Sequence, residues 1–484
     1  MNSGLTDQVV TYTVTPSANG CPGISPTIIL VTVRRSPVLT NATAFNVCSG
    51  GTTNIILQSS PAGGTFTWTA TGSTGNVIGY SSGSGNVIAQ NLANSGFNNE
   101  TVTYAVTPTA LGCTGGVTNI VVTVFPVANV LFTPNGQTIC SGASASIVLN
   151  SNVAGATYTW TATGVAGISG FGPGSGSTIN QVLNNSGAGA GTASYTVAPT
   201  ANACTGLPSG VAITVNPLTA VSFTPCTDII TTSDANSIFL KGGLPLGGNY
   251  SGAGVNAGLF NPALAGTGPH LITYTYNNVF GCPNTASLSI NVLNPLPFFC
   301  DSPVTDVRDN QQYPTIQLGG QCWMAANLNF GSKILSTVMQ RDNCLSEKYC
   351  LSDLTPNCTS FGGQYQWDEM MQFRAVESTQ GLCPPAWHVP SENEWNTLFN
   401  FYISSGFAGS PLKSSGYSGF NAFLKGNYFD NRNWYFDNFA TFFWSSTTQG
   451  PYKAWAHAMN NINPSVSYYP ANRMNAFYVR CIKN

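Results

Sequence analysis

The stretch VTYTVTPSANGC at residues 10–21 recurs along the chain and decides its architecture. It returns as VTYAVTPTALGC at 102–113, as ASYTVAPTANAC at 193–204 and, more loosely, as ITYTYNNVFGC at 272–282. Alternation of apolar and polar residues over such a length is typical of a half-buried β-strand. The tyrosines at the equivalent position of the four copies are 92, 91 and 79 residues apart: Tyr12, Tyr104, Tyr195 and Tyr274. This spacing corresponds to a whole domain rather than to one turn of a solenoid.

The segments between these copies have the pattern of tandem β-sandwiches. Short runs rich in Val, Ile, Thr, Tyr and Trp alternate with clusters of Gly, Ser and Asn, and no helical period occurs before residue 300. Trp68 and Trp160 alternate with threonines, so we expect the indoles in the core and the hydroxyls on the outer face. We predict a mainly β chain with five parts: the C-terminal part of a repeat (1–36), two sandwiches (37–125 and 126–216), a variant sandwich (217–294) and a different domain (295–484).

The composition excludes several classes of function. Only 7% of residues are charged and the net charge is -2, so the chain lacks the basic surface that nucleic acid or an anionic membrane requires. No apolar run is long enough for a membrane helix. Fourteen cysteines indicate an oxidising compartment. Residues 1–20 lack the pattern of a signal peptide, so we expect the export signal to lie upstream of Met1.

The cysteines of the repeats follow the same period as the tyrosines. One cysteine lies near the start of each complete repeat and another near its end, 65, 64 and 56 residues later. This spacing predicts three disulfides within repeats: Cys48 with Cys113, Cys140 with Cys204, and Cys226 with Cys282. Cys21 then has no partner.

The repeats resemble the polycystic-kidney-disease-like (PKD-like) and immunoglobulin-like modules of large bacterial surface adhesins, particularly those exported by the type IX route. The resemblance extends to about residue 294. The third complete repeat contains GGNYSGAGVNAGLFNPALAGTGPHLITYTY at 247–276, which is similar to an immunoglobulin-like pattern of the same kind of protein. The resemblance implies that the repeats are spacers.

A different domain begins near Pro295. The first 300 residues hold 7 of the 32 charged side chains, whereas the remaining 184 hold 25, together with seven of the nine tryptophans. Ser391 and Glu394 form a capping box, and apolar residues at helical spacing follow it. The sequence also predicts a second helix over 367–376. Short strands and long loops make up the rest, so we predict an α+β domain.

Three stretches in this domain carry a second resemblance: TDVRDNQQYPTIQLGGQCWMAANLN (305–329), GLCPPAWHVPSENEWNTL (381–398), and FWSSTT (443–448) with NAFYVRCIKN (475–484). They are similar to the Fibrobacter succinogenes major paralogous domain, a module with a C-type-lectin-like fold found at the ends of bacterial surface proteins. The resemblance implies that the last strand returns beside the first and that Cys383 pairs with Cys481.

Five cysteines of this region have no partner assigned by the sequence: Cys300, Cys322, Cys344, Cys350 and Cys358. Two pairs and one leftover cysteine are the simplest account, with the connectivity left open. The gaps of five and seven residues after Cys344 and Cys350 are wider than in structural zinc sites, which disfavours zinc.

The sequence contains no convincing catalytic motif, and we expect a protein that is not an enzyme. None of the three histidines has a paired-ligand spacing, and we expect His388 to pack under the capping turn. No resident cofactor or metal is expected. A structural Ca²⁺ on carboxylates such as Asp306 and Asp309 is the alternative left open, although VRDNQ favours a turn between strands.

A loop region rich in Tyr, Trp, Asn and Arg, at 427–473, has the composition of an adaptable recognition surface. We predict a ligand-facing rim of six residues: Trp434, Tyr435, Tyr468, Tyr469, Asn472 and Arg473. The leading hypothesis is an adhesin at the bacterial cell surface, whose terminal domain binds a glycan or a surface protein. Two alternatives remain: a structural subunit of a filament or sheath, joined to neighbouring repeats or identical subunits, and the non-catalytic binding region of a larger secreted carbohydrate-active protein.

Overall fold

A computed structural model describes residues 2, 4, 6–226, 228–403, 407–430 and 432–484. The chain divides into two compact units, Met1–Leu218 and Thr219–Asn484. The first unit is built of strands, and the second joins a β-sandwich to the α+β domain predicted from the sequence. The fold class is therefore mainly β with immunoglobulin-like repeats, as predicted.

The first unit begins with a lone hairpin. Its strands are β1 (Gln8–Val14), β2 (Ser17–Ala18), β3 (Cys21–Pro22) and β4 (Thr27–Val33). Strands β1 and β4 pair antiparallel, with Val10 opposite Val31 and Tyr12 opposite Ile29. Side chains on both faces of this hairpin are exposed, including Tyr12 at 54%.

The first complete repeat contains thirteen strands: β5 (Val38–Leu39), β6 (Ala44–Cys48), β7 (Gly51–Thr52), β8 (Ile55–Ile56), β9 (Ser59–Ser60), β10 (Thr65–Gly72), β11 (Val77–Ile78), β12 (Gly83–Ser84), β13 (Val87–Ile88), β14 (Asn91–Asn94), β15 (Glu100–Ala110), β16 (Cys113–Thr114) and β17 (Thr118–Phe125). The main sheet has the order β12-β10-β15-β17-β6, and only β17 and β6 pair in parallel. The short strands form the opposing layers.

The second complete repeat has the same plan with eleven strands: β18 (Leu131–Thr133), β19 (Gln137–Cys140), β20 (Ile147–Asn150), β21 (Thr157–Gly164), β22 (Ile168–Ser169), β23 (Gly174–Ser175), β24 (Thr178–Ile179), β25 (Asn184–Asn185), β26 (Gly191–Ala201), β27 (Cys204–Thr205) and β28 (Ser209–Asn216). Its main sheet has the order β19-β28-β26-β21-β23.

The cores of the two repeats confirm the predicted positions of the aromatic residues. Trp68 and Trp160 are 7% exposed, and Tyr104 and Tyr195 are fully buried. Each tyrosine hydroxyl donates a 2.8 Å hydrogen bond to a glutamine of a short strand or loop opposite, Gln90 in the first repeat and Gln181 in the second. Burial raises the pKa of Tyr104 to about 12. The buried hydroxyls are therefore satisfied without charge.

The disulfide prediction for these repeats is wrong. Cys48 is bonded to Cys204, with 5.6 Å between their Cα atoms, and Cys113 carries a free thiol, as does Cys21. Cys48 ends strand β6, whereas Cys204 follows the tip of the β26–β27 hairpin. The bond therefore joins successive repeats instead of closing one sandwich. Cys140 is disulfide-bonded as well, but not to Cys204.

The sandwich of the second unit contains nine strands and one short helix: β29 (Ser222–Phe223), β30 (Ile230–Thr232), β31 (Ile238–Phe239), β32 (Gly243–Leu244), β33 (Asn249–Ser251), β34 (Val255–Asn256), β35 (Leu259–Phe260), α1 (Pro262–Ala265), β36 (Gly268–Asn277) and β37 (Pro283–Leu293). Its main sheet has the order β30-β37-β36-β33. Asn261 caps α1, since its side chain accepts a hydrogen bond from the Leu264 amide.

The terminal domain contains fifteen strands, four α-helices and one 3₁₀ turn: β38 (Val304–Thr305), β39 (Gln312–Tyr313), β40 (Thr315–Leu318), β41 (Gln321–Met324), β42 (Ser332–Lys333), β43 (Glu347–Lys348), the 3₁₀ turn (Leu351–Asp353), α2 (Thr355–Phe361), β44 (Gln364–Gln366), α3 (Trp367–Met370), β45 (Trp387–His388), α4 (Glu392–Ile403), α5 (Gly409–Leu412), β46 (Lys425–Phe429), β47 (Asn433–Asp437), β48 (Ala440–Thr448), β49 (Lys453–Asn460), β50 (Ser467–Asn472), β51 (Ala476–Tyr478) and β52 (Ile482–Lys483).

Two sheets organise this domain. The larger has the order β47-β46-β51-β48-β49-β50, with β44 beside β51, and the smaller has the order β40-β41-β52-β45. The last strand thus returns beside an early one, as the resemblance implied. Helix α4 begins at the predicted capping box, where the Ser391 amide donates to Glu394 Oε2 at 2.7 Å. The second predicted helix is wrong beyond Met370, because only Trp367–Met370 is helical.

Four disulfides lie within the second unit. Cys383 is bonded to Cys481, which confirms the pairing that the resemblance implied. Cys300–Cys322 and Cys350–Cys358 are the two pairs that the sequence left unassigned. The leftover Cys344 is bonded to Cys226 of the sandwich, so the predicted Cys226–Cys282 pair is wrong. Cys282 takes part in another disulfide.

A buried ion cluster also joins the sandwich to the terminal domain. Arg308 donates to Asp306 at 2.7 Å and to Asp228 at 3.0 Å, and its side chain is 4% exposed. Burial raises the pKa of Asp228, and the attraction of Arg308 opposes this effect. Asp306 is therefore the ion-pair partner of Arg308. The segment that follows Asp306 forms the turn between β38 and β39, as the sequence favoured.

Candidate functional site

Strands β49 and β50 place the predicted rim residues on opposite faces of the large sheet. Tyr468 lies opposite His457, which packs under helix α4, whereas Tyr469 lies opposite Ala456 on the other face. Tyr468 is 63% exposed and contacts only Trp455 among the aromatic rings. Tyr469 is partly buried against the core, and this burial raises its pKa. The two tyrosines do not form one rim.

Three other predicted rim residues hold the structure together. The Arg473 guanidinium lies 3.9 Å from the ring centre of Trp367 and 3.4 Å from Asp368, with its side chain 14% exposed. Asn472 donates to Asp430 at 2.8 Å and accepts from the Met474 amide at 3.0 Å. Trp434 packs on Tyr428, with 5.1 Å between ring centroids. Tyr435, in contrast, lies on a continuous exposed aromatic surface.

That surface is an aromatic platform, which we define by six rings: Phe429, Tyr435, Phe436, Phe439, Phe442 and Tyr469. Phe429 and Phe442 form its base at 5.4 Å from each other, and Phe442 stacks on buried Phe477 at 5.2 Å. Phe436 lies over the base, 5.8 Å from Phe429 and 5.7 Å from Phe442. The outer rings are well exposed, Tyr435 at 40%, Phe436 at 43% and Phe439 at 36%.

The pairing of β46 and β47 is interrupted at Gly426 and Phe436, where two consecutive rings of this platform are exposed. Phe436 has φ 66°, a left-handed conformation that is unfavourable for a bulky side chain. Gly426 lies opposite, and a Cβ there would stand 2.3 Å from the Tyr435 carbonyl oxygen. A regular strand would point Tyr435 and Phe436 to opposite faces. The interrupted pairing instead leaves their rings 6.0 Å apart and both exposed.

A polar cleft adjoins the platform. It has a volume of about 550 Å³ and is lined by Ser410, Lys413, Ser415, Gly416, Tyr417, Leu424 and Asn461. The Asn461 amide donates to the Phe439 carbonyl at 3.0 Å, so one lining residue of the cleft is hydrogen-bonded through its backbone to one residue of the platform. Lys413 donates to the Asn463 carbonyl at 2.8 Å, and burial lowers the pKa of this lysine. Tyr417 is 75% exposed at the opening.

The arrangement combines flat apolar rings with a few hydrogen-bonding groups. Ligand sites commonly have this composition, because apolar contact provides area and a small number of polar groups fix orientation. The volume of the cleft falls within the usual range of about 300–1,000 Å³ for small-molecule sites. Sequence reasoning named Tyr435 and Tyr469 but missed Phe436, Phe439, Lys413, Tyr417 and Asn461. The signal was present in the run WYFDNF, whose aromatic residues do not alternate strictly.

The two histidines of the terminal domain support helix α4. His388 lies 2.8 Å from Glu394 and 2.8 Å from the Asn484 side chain. His457 is fully buried, 2.9 Å from Glu392 and 4.9 Å from the ring centre of Trp395. His388 therefore lies beside the capping turn, where the sequence placed it, and each histidine is paired with a carboxylate of the first helical turn.

Among the residues that the structure describes, no three His, Cys, Asp or Glu side chains are grouped as metal ligands. Across the same described ranges, no helix has the length and apolar character needed to cross a membrane.

Comparisons with protein families match three parts of the chain. The Fibrobacter succinogenes major domain matches residues 316–483, and the PKD-like domain matches residues 45–128 and 137–219. These matches confirm both resemblances stated from the sequence. No curated protein sequence gives a significant match.

Comparisons with solved structures return arrays of extracellular domains. The human desmocollin-1 ectodomain covers 94% of this chain and 83% of its own, at 8% identity and a TM-score of 0.24. Human CDH23 EC21-23 covers 53% of this chain and 100% of its own, at 10% identity and a TM-score of 0.22. Human mucin-like protocadherin EC1-2 covers 38% and 98%, at 11% identity and a TM-score of 0.20. At these TM-scores the likeness carries no conclusion about function.

Proposed function

We propose that this chain, in which PKD-like repeats precede a Fibrobacter succinogenes major domain, is a bacterial surface protein whose terminal domain binds a glycan. In this proposal the repeats are spacers that carry the terminal domain, and the protein is not an enzyme. The disulfides and the module types are those of extracellular proteins. The bound ligand would contact the aromatic platform and the polar cleft.

The exposed rings of the aromatic platform carry the proposal. Tyr435, Phe436 and Phe439 are each more than a third exposed, although a well-packed core lies directly beneath them. Contiguous exposed apolar surface on a soluble domain marks an interaction site. The left-handed backbone of Phe436 is a further indication, because strain of this kind is retained mainly where function requires it.

The polar cleft favours a sugar over a wholly apolar ligand. A sugar ring has an apolar C–H face and a rim of hydroxyls, and the cleft supplies hydroxyl, amide and ammonium groups beside flat rings: Ser410, Lys413, Ser415, Tyr417 and Asn461. Such groups donate and accept the hydrogen bonds that hydroxyls require. The lining contains no carboxylate, so the geometry supports recognition without a bridging metal ion.

A glycan array probed with the full chain tests this function, with parallel runs in calcium and in chelator. Phe436→Asn removes the ring and retains a residue that tolerates the left-handed backbone, so the fold should persist. Tyr452→Ser is the matched control, since Tyr452 is 78% exposed on the same domain but outside the platform. We expect binding by the wild type and the control in both buffers, and loss of binding in Phe436→Asn.

Three outcomes of the array would redirect the proposal. Binding that Phe436→Asn leaves unchanged would remove the platform from the site. Binding lost only in chelator would show a metal-dependent site that the described residues do not display. Absence of binding to every printed glycan would reject the glycan and favour a protein ligand, for which the same two variants would be compared in pull-down experiments.

Assembly with other repeats is a second candidate function, and the lone N-terminal hairpin favours it. Complete sandwiches bury the side chains that this hairpin exposes. Light scattering of the full chain at increasing concentration tests self-assembly, since a filament or sheath subunit should associate, whereas a strict monomer would count against this function.

A further inference from the structure

The lone hairpin β1–β4 matches two strands of a complete sandwich repeat. Its register repeats that of β15 and β17 in the first complete repeat: Val10 faces Val31 as Val102 faces Val122, and Tyr12 faces Ile29 as Tyr104 faces Ile120. The second complete repeat has the same pairing, with Tyr195 opposite Val211. The hairpin therefore has the geometry of the two central strands of a main sheet.

Burial at equivalent positions differs sharply between the hairpin and the complete repeats. Val10, Tyr12, Ile29 and Val31 are 39%, 54%, 48% and 42% exposed. The matching residues of the first complete repeat are at most 1% exposed: Val102, Tyr104, Ile120 and Val122. The second complete repeat buries the same positions. The hairpin thus leaves exposed a face that faces the core in a complete repeat. The two complete repeats show which strands normally cover this face.

In the first complete repeat, strand β6 pairs with β17, which is the equivalent of β4. An equivalent of β6 is therefore the strand expected beside β4. Strand β6 runs parallel to β17, from Ala44 opposite Val121 to Cys48 opposite Phe125. Phe45 and Val47 pack on the core of that repeat. Strand β19 has the same place beside β28 and also ends in a cysteine, Cys140, opposite Asn216. Among the described residues, no strand pairs with the equivalent edge of β4. Asn2 reaches only the end of this edge, where it bridges Arg35 in parallel and donates to the Val33 carbonyl at 2.9 Å.

The free thiol of Cys113 supports the same conclusion independently. Cys113 follows the tip of the β15–β16 hairpin, with Ala110 opposite Cys113, and Cys204 has the same place with Ala201 opposite Cys204. Cys204 is bonded to the cysteine that ends β6 of the neighbouring repeat. Cys113 therefore occupies the position equivalent to Cys204, which forms a disulfide between repeats.

We propose that the open face and free edge of the hairpin bind a leading segment of the same repeat type, with one strand parallel to β4 and a terminal cysteine that bonds to Cys113. The strand would pair with the β4 edge, and its alternate apolar side chains would cover the exposed valine and isoleucine side chains. Pairing at a free sheet edge supplies backbone hydrogen bonds, while the side chains give specificity.

The covalent step is an ordinary disulfide formation. The two thiols form one S–S bond, and their two protons and two electrons pass to the disulfide of an oxidising thiol–disulfide partner, which is reduced to two thiols. Binding of the strand would bring the thiols together first, so the bond would form selectively at Cys113 and not at Cys21, which is also free.

A peptide with the sequence of residues 41–50, NATAFNVCSG, tests this docking on the intact chain. Its cysteine is activated as a 2-pyridyl disulfide, so attack by a protein thiolate forms the mixed disulfide and releases pyridine-2-thione. Release is followed by absorbance, and the modified cysteine is identified by mass spectrometry. We expect Cys113 to react at least about tenfold faster with this peptide than with a scrambled peptide, and this preference should disappear in denaturant.

Two neighbouring substitutions on β4 provide the matched control. Val31→Asp places a carboxylate on the open face, and Thr32→Asp places one on the opposite face. We expect the first to reduce the rate at Cys113 by about tenfold and the second to leave it unchanged. Equal rates for the native and scrambled peptides, equal effects of the two substitutions, or preferential modification of Cys21 would each overturn the proposal.

Discussion

The repeats and the terminal domain bury their aromatic residues in different ways. Each complete repeat of the first unit places one tryptophan in its core, Trp68 or Trp160, beside Tyr104 in the first repeat and beside Tyr158 and Tyr195 in the second. The terminal domain fully buries five tryptophans: Trp323, Trp367, Trp387, Trp395 and Trp444. Three of their indoles donate to backbone carbonyls.

We propose that this difference suits the terminal domain to a recognition surface. A thick aromatic core fixes the base of the aromatic platform, so that exposed rings keep their positions without collapsing into the domain. The repeats have exposed hydroxyls between their core residues and little charge, which suits a spacer. Variants in either region should therefore act differently on stability and on binding.

The largest effect is expected at the buried ion cluster of the second unit. Arg308→Met would leave Asp228 and Asp306 without their cation in a buried site. Loss of one partner of a buried ion pair typically costs about 3–5 kcal/mol in the free energy of unfolding. Chemical denaturation measures this value. Arg34→Met is the control, because Arg34 and Asp7 are exposed and 3.9 Å apart, and it should cost less than about 1 kcal/mol.

A pH-dependent effect of intermediate size is expected at Glu369. Burial raises the pKa of this carboxyl to about 8, from an ordinary value of 4.5. Between these values the folded state holds a proton that the unfolded state has lost, so the free energy of unfolding falls as pH rises, by up to about 1.4 kcal/mol per pH unit. Glu369→Gln should remove this decline and be more stable than the wild type near pH 8 to 9.

Glu394→Gln should show the opposite sign in the same denaturation series. Burial tends to raise the pKa of Glu394, but hydrogen bonds from His388 and Ser391 outweigh it and hold the pKa below its ordinary value. The contribution of Glu394 to the free energy of unfolding is fully present above the pKa that this carboxyl has in the unfolded chain. It disappears as pH falls through the lower pKa of the folded protein. The variant should therefore be less stable at neutral pH, and matching profiles for the two variants would refute both assignments.

The smallest effect is expected in the cores of the repeats. Tyr104→Phe removes the 2.8 Å hydrogen bond to Gln90, and Tyr195→Phe removes the equivalent bond to Gln181. Each substitution should lower the free energy of unfolding of its own repeat by about 1 kcal/mol. The double variant should show additive losses, because the residues share no partner. A strongly non-additive result would show that the two sites are energetically coupled.

Sequence pattern predicted the strands and cores of the repeats well, because period-2 alternation directly reports which side chains face inward. It failed on the disulfides for an identifiable reason. A constant spacing between Cys48 and Cys113 is equally compatible with pairing inside a repeat and with pairing between successive repeats. Only the three-dimensional proximity of one repeat's end to the next repeat's hairpin tip distinguishes these cases, as the Cys48–Cys204 bond shows.

The candidate site was predicted only in part, for reasons of backbone geometry. Composition located the hairpin β46–β47, but the exposure of Phe436 depends on its left-handed backbone opposite Gly426. Strict alternation would have placed Tyr435 and Phe436 on different faces. Arg473 was assigned to the rim from its residue type, yet it stacks on Trp367. Residue type alone does not distinguish a stacked structural arginine from one that faces a ligand.

Hydrogen-exchange mass spectrometry of the full chain, with and without the strongest-binding glycan of the array, tests the central claim most directly. We predict slower exchange in β47 (Asn433–Asp437) and in the segment 409–417 that lines the polar cleft, with no change in the repeats 37–125 and 126–216. Protection confined to the repeats, or protection in the terminal domain that avoids both β47 and the cleft, would contradict the account.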